Sequence, residues 1–447
     1  TGMSGFLKDY EAHCARFGTP ERIELLLCDL NAVLRGKWLP GEDAEKLVKG
    51  GVRLPMSTYA PNILGAEVEE TGLGITVGDP DGILMPVAGS LIPVPWAKGN
   101  VAQVQVEMGD GEAISPLSPR EVLQAVLDRY AAQSLTPVVA SELEFYILQP
   151  RENPEDPPVP PKGSPVAQNY DMELLDRTSP ILADILSGAE AQGLPTDTLI
   201  AEYGPGQFEI NFHHTDDALA AADTAVMFRR LVRGVVAGHG MEATFMAKPY
   251  ADHPGNGMHL HASVVDADGK NIFDDGSDLS PRLSAAVAGC LDTMSDLQAI
   301  FAPHMNSYRR FAPNSFAPSA PDWGKDHRGA GIRLPETKGP AARLEHRIAG
   351  ADVNPYLAFA AILGGMLFGM ETEPFLPLPL DHPEASPADR LGHDWTTAVE
   401  RFAASDIGAE IFGTRYRAIY TAVRRDEVAQ LTRQITPVEY RAYLSRL

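Results

Sequence analysis

The sequence predicts mixed α and β structure in two unequal parts: a small sheet-rich N-terminal part, then a larger part built from helices and one-sided strands. Three observations carry this. Between residue 21 and about 110, short apolar runs such as Glu24-Leu25-Leu26-Leu27-Cys28 and Val101-Ala102-Gln103-Val104-Gln105-Val106 alternate with Gly, Pro and Asp turns. From Ser118 onward, hydroxyl-then-proline pairs announce helices. In the same larger part, several strands keep apolar side chains on one face and acids, imidazoles or arginines on the other.

In chain order, residues 1–20 are an N-terminal segment, in which Thr1 and Gly2 ahead of Met3 read as an appended remnant. Residues 21–112 make the first domain, ending at the turn cluster Gly109-Asp110-Gly111-Glu112. Residues 113–447 make the second. Ser118-Pro119-Arg120-Glu121 opens its first helix, and Ser179-Pro180 and Ser280-Pro281 repeat the signal. Helical periodicity is expected over 119–133, 180–192, 216–238 and 281–300, and again over the last stretch of the chain. Residues 150–165 are too rich in proline for a ladder or helix. Residues 302–335 mix Pro303, Pro313, Pro318 and Pro321 with Arg309, Arg310, Arg328 and Arg333, the composition of a long functional loop. The apolar run from Tyr356 to Met370 falls short of the ~20 residues of a membrane span and predicts a buried core helix starting after Asn354-Pro355.

The 447 residues are 44% hydrophobic and 22% charged, which suits a globular protein and excludes global disorder or a fibre. A net charge of −23 argues against a nucleic-acid partner and against docking on an anionic membrane. Cys14, Cys28 and Cys290 are far apart with no CxxC, the usage of a reduced compartment, and no signal-peptide pattern is present, so a cytoplasmic location is expected.

The strand faces carry the chemistry. Glu142 and Glu144 share a face against Leu143, Phe145 and Ile147. Gln207, Glu209 and Asn211 oppose Phe208, Ile210 and Phe212; His259, His261 and Ser263 oppose Met258, Leu260 and Ala262; and Arg343, Glu345 and Arg347 share a further face. A solvated sheet face would ordinarily hold Lys and Thr, whereas these positions hold the residue types that ligate metals and grip carboxylate or phosphate. Carboxylates at such spacing repel and call for cations, and an oxygen-rich set with an imidazole suits Mg²⁺ or Mn²⁺ better than zinc. Divalent cations beside arginines are the apparatus of phosphoryl transfer. No P-loop or dinucleotide fingerprint is present, and Gly204-Pro205-Gly206 is a turn.

The chain resembles the glutamine synthetase superfamily over nearly its whole length, and within it most closely the γ-glutamylputrescine synthetase branch. The resemblance rests on Arg35-Gly36-Lys37, Ile63-Leu64-Gly65, Val68-Glu69-Glu70-Thr71-Gly72-Leu73-Gly74, Glu142-Leu143-Glu144-Phe145 and Gly206-Gln207-Phe208-Glu209-Ile210-Asn211. It rests further on Phe245-Met246-Ala247-Lys248-Pro249-Tyr250, Gly255-Asn256-Gly257-Met258-His259-Leu260-His261, Asn306-Ser307-Tyr308-Arg309-Arg310-Phe311, Arg343-Leu344-Glu345-His346-Arg347 and Asn354-Pro355-Tyr356-Leu357.

The resemblance implies an α+β fold: an N-terminal β-grasp domain and a catalytic domain with a curved antiparallel sheet flanked by helices. It also implies a dodecamer of two hexameric rings with active sites shared between neighbours. Glu144, Glu202 and Glu209 match the ligands of one metal, and Glu142, His259 and Glu345 those of a second. Arg310 and Arg347 match the arginines on the carboxylates of L-glutamate, with Gly255 in the glycine loop beside them. Arg328 matches the arginine at the transferred phosphoryl group, and His261, Ser263 and Arg333 match nucleotide contacts. The implied activity uses ATP to turn the γ-carboxyl of glutamate into γ-glutamyl phosphate, which an amine then attacks.

Two departures bear on the amine. Glutamine synthetases carry a flap glutamate where Asn314-Ser315-Phe316-Ala317-Pro318 stands here, and an aspartate where Leu54-Pro55-Met56-Ser57-Thr58 has no acid. Ammonium needs carboxylates to bind and deprotonate it, so their loss favours an amine carrying hydrocarbon, putrescine or a related polyamine first. The rivals are a true glutamine synthetase, should other acids take those places, and a non-catalytic homologue, against which the six matching metal ligands count. Asp266-Ala267-Asp268-Gly269 reads as a hairpin turn rather than a calcium loop. His213 and His214 read as structural or surface residues and His346 as a satisfied core histidine. Trp323 and Phe316 are expected either to shape the amine pocket or to pin the loop.

Overall fold

The computed structural model describes residues 2–313, 315 and 317–447, with side chains from residue 5 onward. Fourteen strands form two sheets among the described residues. The first contains β1 Arg22–Cys28, β2 Leu34–Pro40, β3 Arg53–Pro55, β4 Asp81–Pro86, β5 Ile92–Pro93 and β6 Val101–Gly109, in the order β2-β1-β6-β4-β3 with β5 on β6. The second contains β7 Thr136–Leu148, β8 Thr196–Ala201, β9 Gln207–Phe212, β10 Glu242–Thr244, β11 Met258–Val265, β12 Trp323–Lys325, β13 Ile332–Glu336 and β14 Arg343–His346. Its order is β12-β13-β14-β11-β7-β9-β8 with β10 on β7. Each sheet is antiparallel but for one parallel pair, β1 with β6 and β12 with β13.

The helices are α1 Gly2–Phe17, α2 Ala44–Val48, α3 Pro119–Ala131, α4 Met172–Ala191, α5 Ala218–Gly238, α6 Pro281–Met294, α7 Gln298–Phe301, α8 Pro355–Thr372, α9 Trp395–Ala403, α10 Asp406–Phe412, α11 Thr414–Thr432 and α12 Pro437–Tyr443. The cap-then-proline reading holds at α6, where the Ser280 hydroxyl accepts from the Leu283 amide at 3.1 Å. At α3 the helix starts as expected, but the Ser118 hydroxyl donates to Glu107 at 2.6 Å instead of capping. Ser179-Pro180 is not a start. α4 begins at Asp171, whose carboxylate accepts from Leu174, and Pro180 lies inside the helix. The stretch 302–335 is also more ordered than its prolines suggest, holding a 3-10 turn over Met305–Phe311 and strands β12 and β13. Helix α1 occupies the segment in which no element was expected. The Asp266–Gly269 turn closes a hairpin, with the Asp266 amide on the Lys270 carbonyl at 2.9 Å.

The core lies behind the second sheet. Phe145 on β7 meets Phe208, Phe228 and Phe245 at ring-centroid distances of 6.2, 6.3 and 5.4 Å. Helix α8 is long and apolar enough to cross a membrane by length and composition, yet 78% of it is buried within the fold, the condition of a core helix. Asn354 caps it, accepting from Tyr356 at 3.0 Å and Leu357 at 3.4 Å. The same side chain donates to the carbonyls of Asp29 and Leu30 at 3.1 and 3.2 Å, tying this helix to the first sheet.

Candidate active site

Strand register assembles the site. Across β7 and β9, Glu144 stands opposite Glu209; across β7 and β11, Glu142 stands opposite His259. Across β11 and β14, His261 stands opposite Glu345, and across β13 and β14, Arg333 stands opposite the same glutamate. Because side chains alternate along each strand, all these groups fall on one face, away from the phenylalanine core.

Two clusters result. One ligand atom each from Glu144, Glu202 and Glu209 lie within 4.8 Å of one another, as do those of Glu142, His261 and Glu345. His259 stands between them, with Nδ1 3.3 Å from Glu142 and 3.5 Å from Glu345. His261 Nε2 is 2.8 Å from Glu142, and its Nδ1 accepts from Arg343 Nε at 3.1 Å. The metal-ligand expectation placed His259 in the second set; the geometry brings His261 to the same carboxylates.

The electrostatics fit a cation. Burial, together with Glu202 and Glu144, pushes the Glu209 carboxyl up to about 12. Burial raises Glu144 to about 7, with Glu202 adding to the shift. Burial would also raise Glu142, but hydrogen bonds from His259 and His261 hold it well below the usual carboxylate range. Glu345 is likewise held low against its burial, by His259, Arg347 and His261. The Glu144 and Glu209 carboxyls, raised by burial, and the imidazole-paired carboxylates of Glu142 and Glu345 form an oxygen-rich donor set suited to hard divalent ions.

The arginines differ in their setting. Arg333 NH1 and Arg347 NH1 clasp the two oxygens of Glu345 at 2.8 and 2.6 Å. Arg310 is buried, donates to the Ile348 carbonyl at 3.0 Å and leaves Nε without a partner. Its guanidinium lies over Gly257, where a Cβ would stand 2.8 Å from Glu144 Oε1, 3.0 Å from His259 Nε2 and 3.4 Å from Arg310 NH2. Gly255 is packed as closely, because a Cβ there would meet the Ala247 carbonyl at 2.4 Å and Arg310 Cγ at 2.9 Å. Gln207 fixes this glycine loop, donating to the Gly255 carbonyl at 3.0 Å and to Asn256 Oδ1 at 2.9 Å.

A cavity of about 1000 Å³ opens beside the second cluster, lined by Glu142, Asn211, His214, His261, Ser263 and Arg343 among others. Arg328 is exposed on the turn after β12 and is not brought into either cluster; Arg333 and then Arg328 draw the Asp326 carboxyl down. Phe316 and Asn314 lie outside the described residues. Trp323 is buried, and its indole donates to the Pro377 carbonyl at 2.8 Å, so it pins the loop. His346 is a core residue against Phe301, but its Nδ1 has no partner, and burial pushes its imidazole down to about 3. His213 sits at the surface 3.8 Å from Asp197.

Sequence reasoning gave no role to Gly257, Gln207, Ser307 or Asp352. Gly257, Gln207 and Ser307 lie inside the motifs that carry the family resemblance, so their position was visible. Asp352 gave no signal. The segment Leu54–Thr58 has no acid of its own, but Asp79 folds back onto it and accepts from the Ser57 hydroxyl at 2.7 Å.

A family profile described as "Glutamine synthetase, catalytic domain" matches residues 116–443. The γ-glutamylputrescine synthetase PuuA of Escherichia coli (strain K12) is 38% identical over 449 residues, spanning 98% of this chain and 94% of that protein. The γ-glutamylethanolamide synthetase GlnA4 of Streptomyces coelicolor is 33% identical over 363 residues, spanning 79% of this chain and 77% of that protein. A solved structure described as a GmaS/ADP complex superposes with a TM-score of 0.84 at 28% identity, covering 98% of this chain and 99% of that one.

Proposed function

The chain belongs to the glutamine synthetase family, and from that premise we propose that it is an ATP-dependent ligase joining the γ-carboxyl of L-glutamate to a primary amine, putrescine or a related alkylamine. The observation that carries the reading is the pair of carboxylate-bearing clusters on one sheet face, joined to relatives, aligned over 98% and 79% of this chain, that bear γ-glutamylputrescine and γ-glutamylethanolamide synthetase names.

Two divalent cations, Mg²⁺ or Mn²⁺, fit the clusters. Glu144, Glu202 and Glu209 would hold one, and Glu142, Glu345 and His259 the other, where the closeness of His261 also supports a ligand role for it. When bound, such ions neutralise phosphate charge that would otherwise repel the glutamate carboxylate. Arg310 and Arg347 would orient glutamate over the Gly255 loop. His261 and Ser263, which line the adjoining cavity, and Arg333, held on Glu345, would seat ATP. Arg328, on its exposed turn, would reach the transferring phosphoryl group.

In the first step an oxygen of the γ-carboxylate bonds to the γ-phosphorus as its bond to ADP breaks. In the second, the lone pair of a neutral amine attacks the acyl carbon, phosphate departs with the C–O electron pair, and the nitrogen loses a proton. The residues contribute chiefly positioning and preorganised charge. By family resemblance the active assembly is a dodecamer with shared sites, working in the cytoplasm.

One observation favours ammonium as the alternative nucleophile: Asp79 supplies a carboxylate beside Ser57, in the segment that lacks its own acid. Measuring ADP release with glutamate across a panel of diamines, alkylamines and ammonium separates the two. Ammonium outperforming every organic amine would make the protein a glutamine synthetase. A preparation that neither binds Mg²⁺ nor turns over ATP would make it a non-catalytic homologue.

A further inference from the structure

We propose that Asp352 is a positioning residue that sets the guanidinium of Arg310, through Ser307 and across Gly350, for the carboxylate it receives. This deepens the reading above and rests on its assignment of Arg310 to the glutamate substrate.

Arg310 is carried by the 3-10 segment Met305–Phe311. In a 3-10 helix, side chains three apart eclipse one another, so Ser307 and Arg310 share a face. That face packs on residues 348–352. The Ser307 hydroxyl donates to Asp352 Oδ2 at 2.5 Å and accepts from the His304 amide at 3.0 Å, which locks the start of the segment. One turn later Arg310 NH1 reaches the Ile348 carbonyl at 3.0 Å. The two interactions fix the face at both ends.

Between them lies Gly350. A Cβ there would stand 2.4 Å from Asp352 Oδ1 and 3.3 Å from Arg310 NH1, so the carboxylate and guanidinium close over a residue with no side chain. Asp352 Oδ1 and Arg310 Nε are both buried, and neither has a hydrogen-bond partner. A buried carboxylate oxygen left unpaired is costly, and here it faces the arginine. Burial pulls the Arg310 guanidinium down, and Asp352 is the largest of the charges that oppose the shift. The loop bearing Asp352 is itself clamped, since Arg229 NH1 donates to the Ala351 and Val353 carbonyls, both at 2.8 Å. A rigid loop therefore places the Asp352 carboxyl behind a guanidinium whose NH2 lies across Gly257 from Glu144 and His259.

The test uses the full-length protein and compares D352N, S307A, R310A and the D352N/R310A pair. D352N keeps the shape of the side chain and removes its charge. It should raise KM for glutamate about tenfold and leave kcat, KM for ATP and Mn²⁺ affinity within about twofold. R310A should raise the same KM further, and D352N should add nothing in its background. Fully multiplicative effects in the pair, or a D352N defect spread equally over all substrates, would overturn the proposal. If R310A leaves KM for glutamate unchanged, the assignment of Arg310 fails; if R310A raises it and D352N does not, only the coupling fails. Should D352N not accumulate as folded protein, S307A decides: a smaller rise in KM for glutamate alone supports the link, and an unchanged KM sinks it.

Discussion

Glu144 on β7 and Glu209 on β9 face each other across one register step, and Glu202 completes the cluster within 4.8 Å. Burial raises both carboxyls, Glu144 to about 7 with Glu202 adding to the shift, and Glu209 to about 12 with Glu202 and Glu144 adding to it. Both carboxyls therefore keep their protons to higher pH than an ordinary carboxyl does.

Divalent binding should release protons. A ligating carboxylate must be deprotonated, so Mn²⁺ affinity should strengthen as pH rises through about 7, where Glu144 loses its proton. Calorimetry in buffers of different ionisation enthalpy checks this. A binding enthalpy independent of the buffer would count against it.

The same shifts set the stability of the cation-free protein. A carboxyl raised in the folded state favours folding while it holds its proton, and that contribution is lost as pH climbs through the folded value. Without divalent ions, Tm should fall between about pH 5 and pH 8, the span from an ordinary carboxyl to Glu144. Adding Mg²⁺ should flatten the decline. A Tm that rises over this range would contradict the assignment.

Glu209→Ala should abolish turnover, by on the order of 10³-fold or more, with the fold retained. ADP release, circular dichroism and sizing on one preparation measure both parts. Activity near that of the parent would mean the cation cluster is misassigned.

The clusters were legible because strand chemistry has a period of two. Glu142 with Glu144, His259 with His261, and Gln207 with Glu209 announce a shared face in the linear string, and the register then brings those faces together. Helix starts were less reliable. Ser280-Pro281 reads correctly, whereas Ser179-Pro180 mimics a start inside α4, because Asp171 upstream had already supplied the cap. The strands β12 and β13 were hidden by flanking prolines and are only 3 and 5 residues long. Asp352 was invisible, since only tertiary folding brings it to Ser307, 45 residues away in sequence.

Gly257→Ala should weaken Mn²⁺ binding about 10- to 100-fold, because a methyl group would press on Glu144 Oε1, His259 Nε2 and Arg310 NH2 at once. Titration followed by electron paramagnetic resonance reads this directly. Unchanged affinity would show that the three groups can withdraw together.

Asn354→Ala should cost about 2–4 kcal/mol, since one side chain caps α8 and also holds the Asp29 and Leu30 carbonyls. A lower denaturant midpoint with an unchanged m-value is the expected signature.

Glu345 holds one arginine on each of its oxygens, Arg333 on one and Arg347 on the other. A cation drawing on both oxygens of this carboxylate would loosen its hold on the two arginines at the same moment. If Arg333 serves the nucleotide and Arg347 the glutamate, as proposed above, one side chain would ready the site for both.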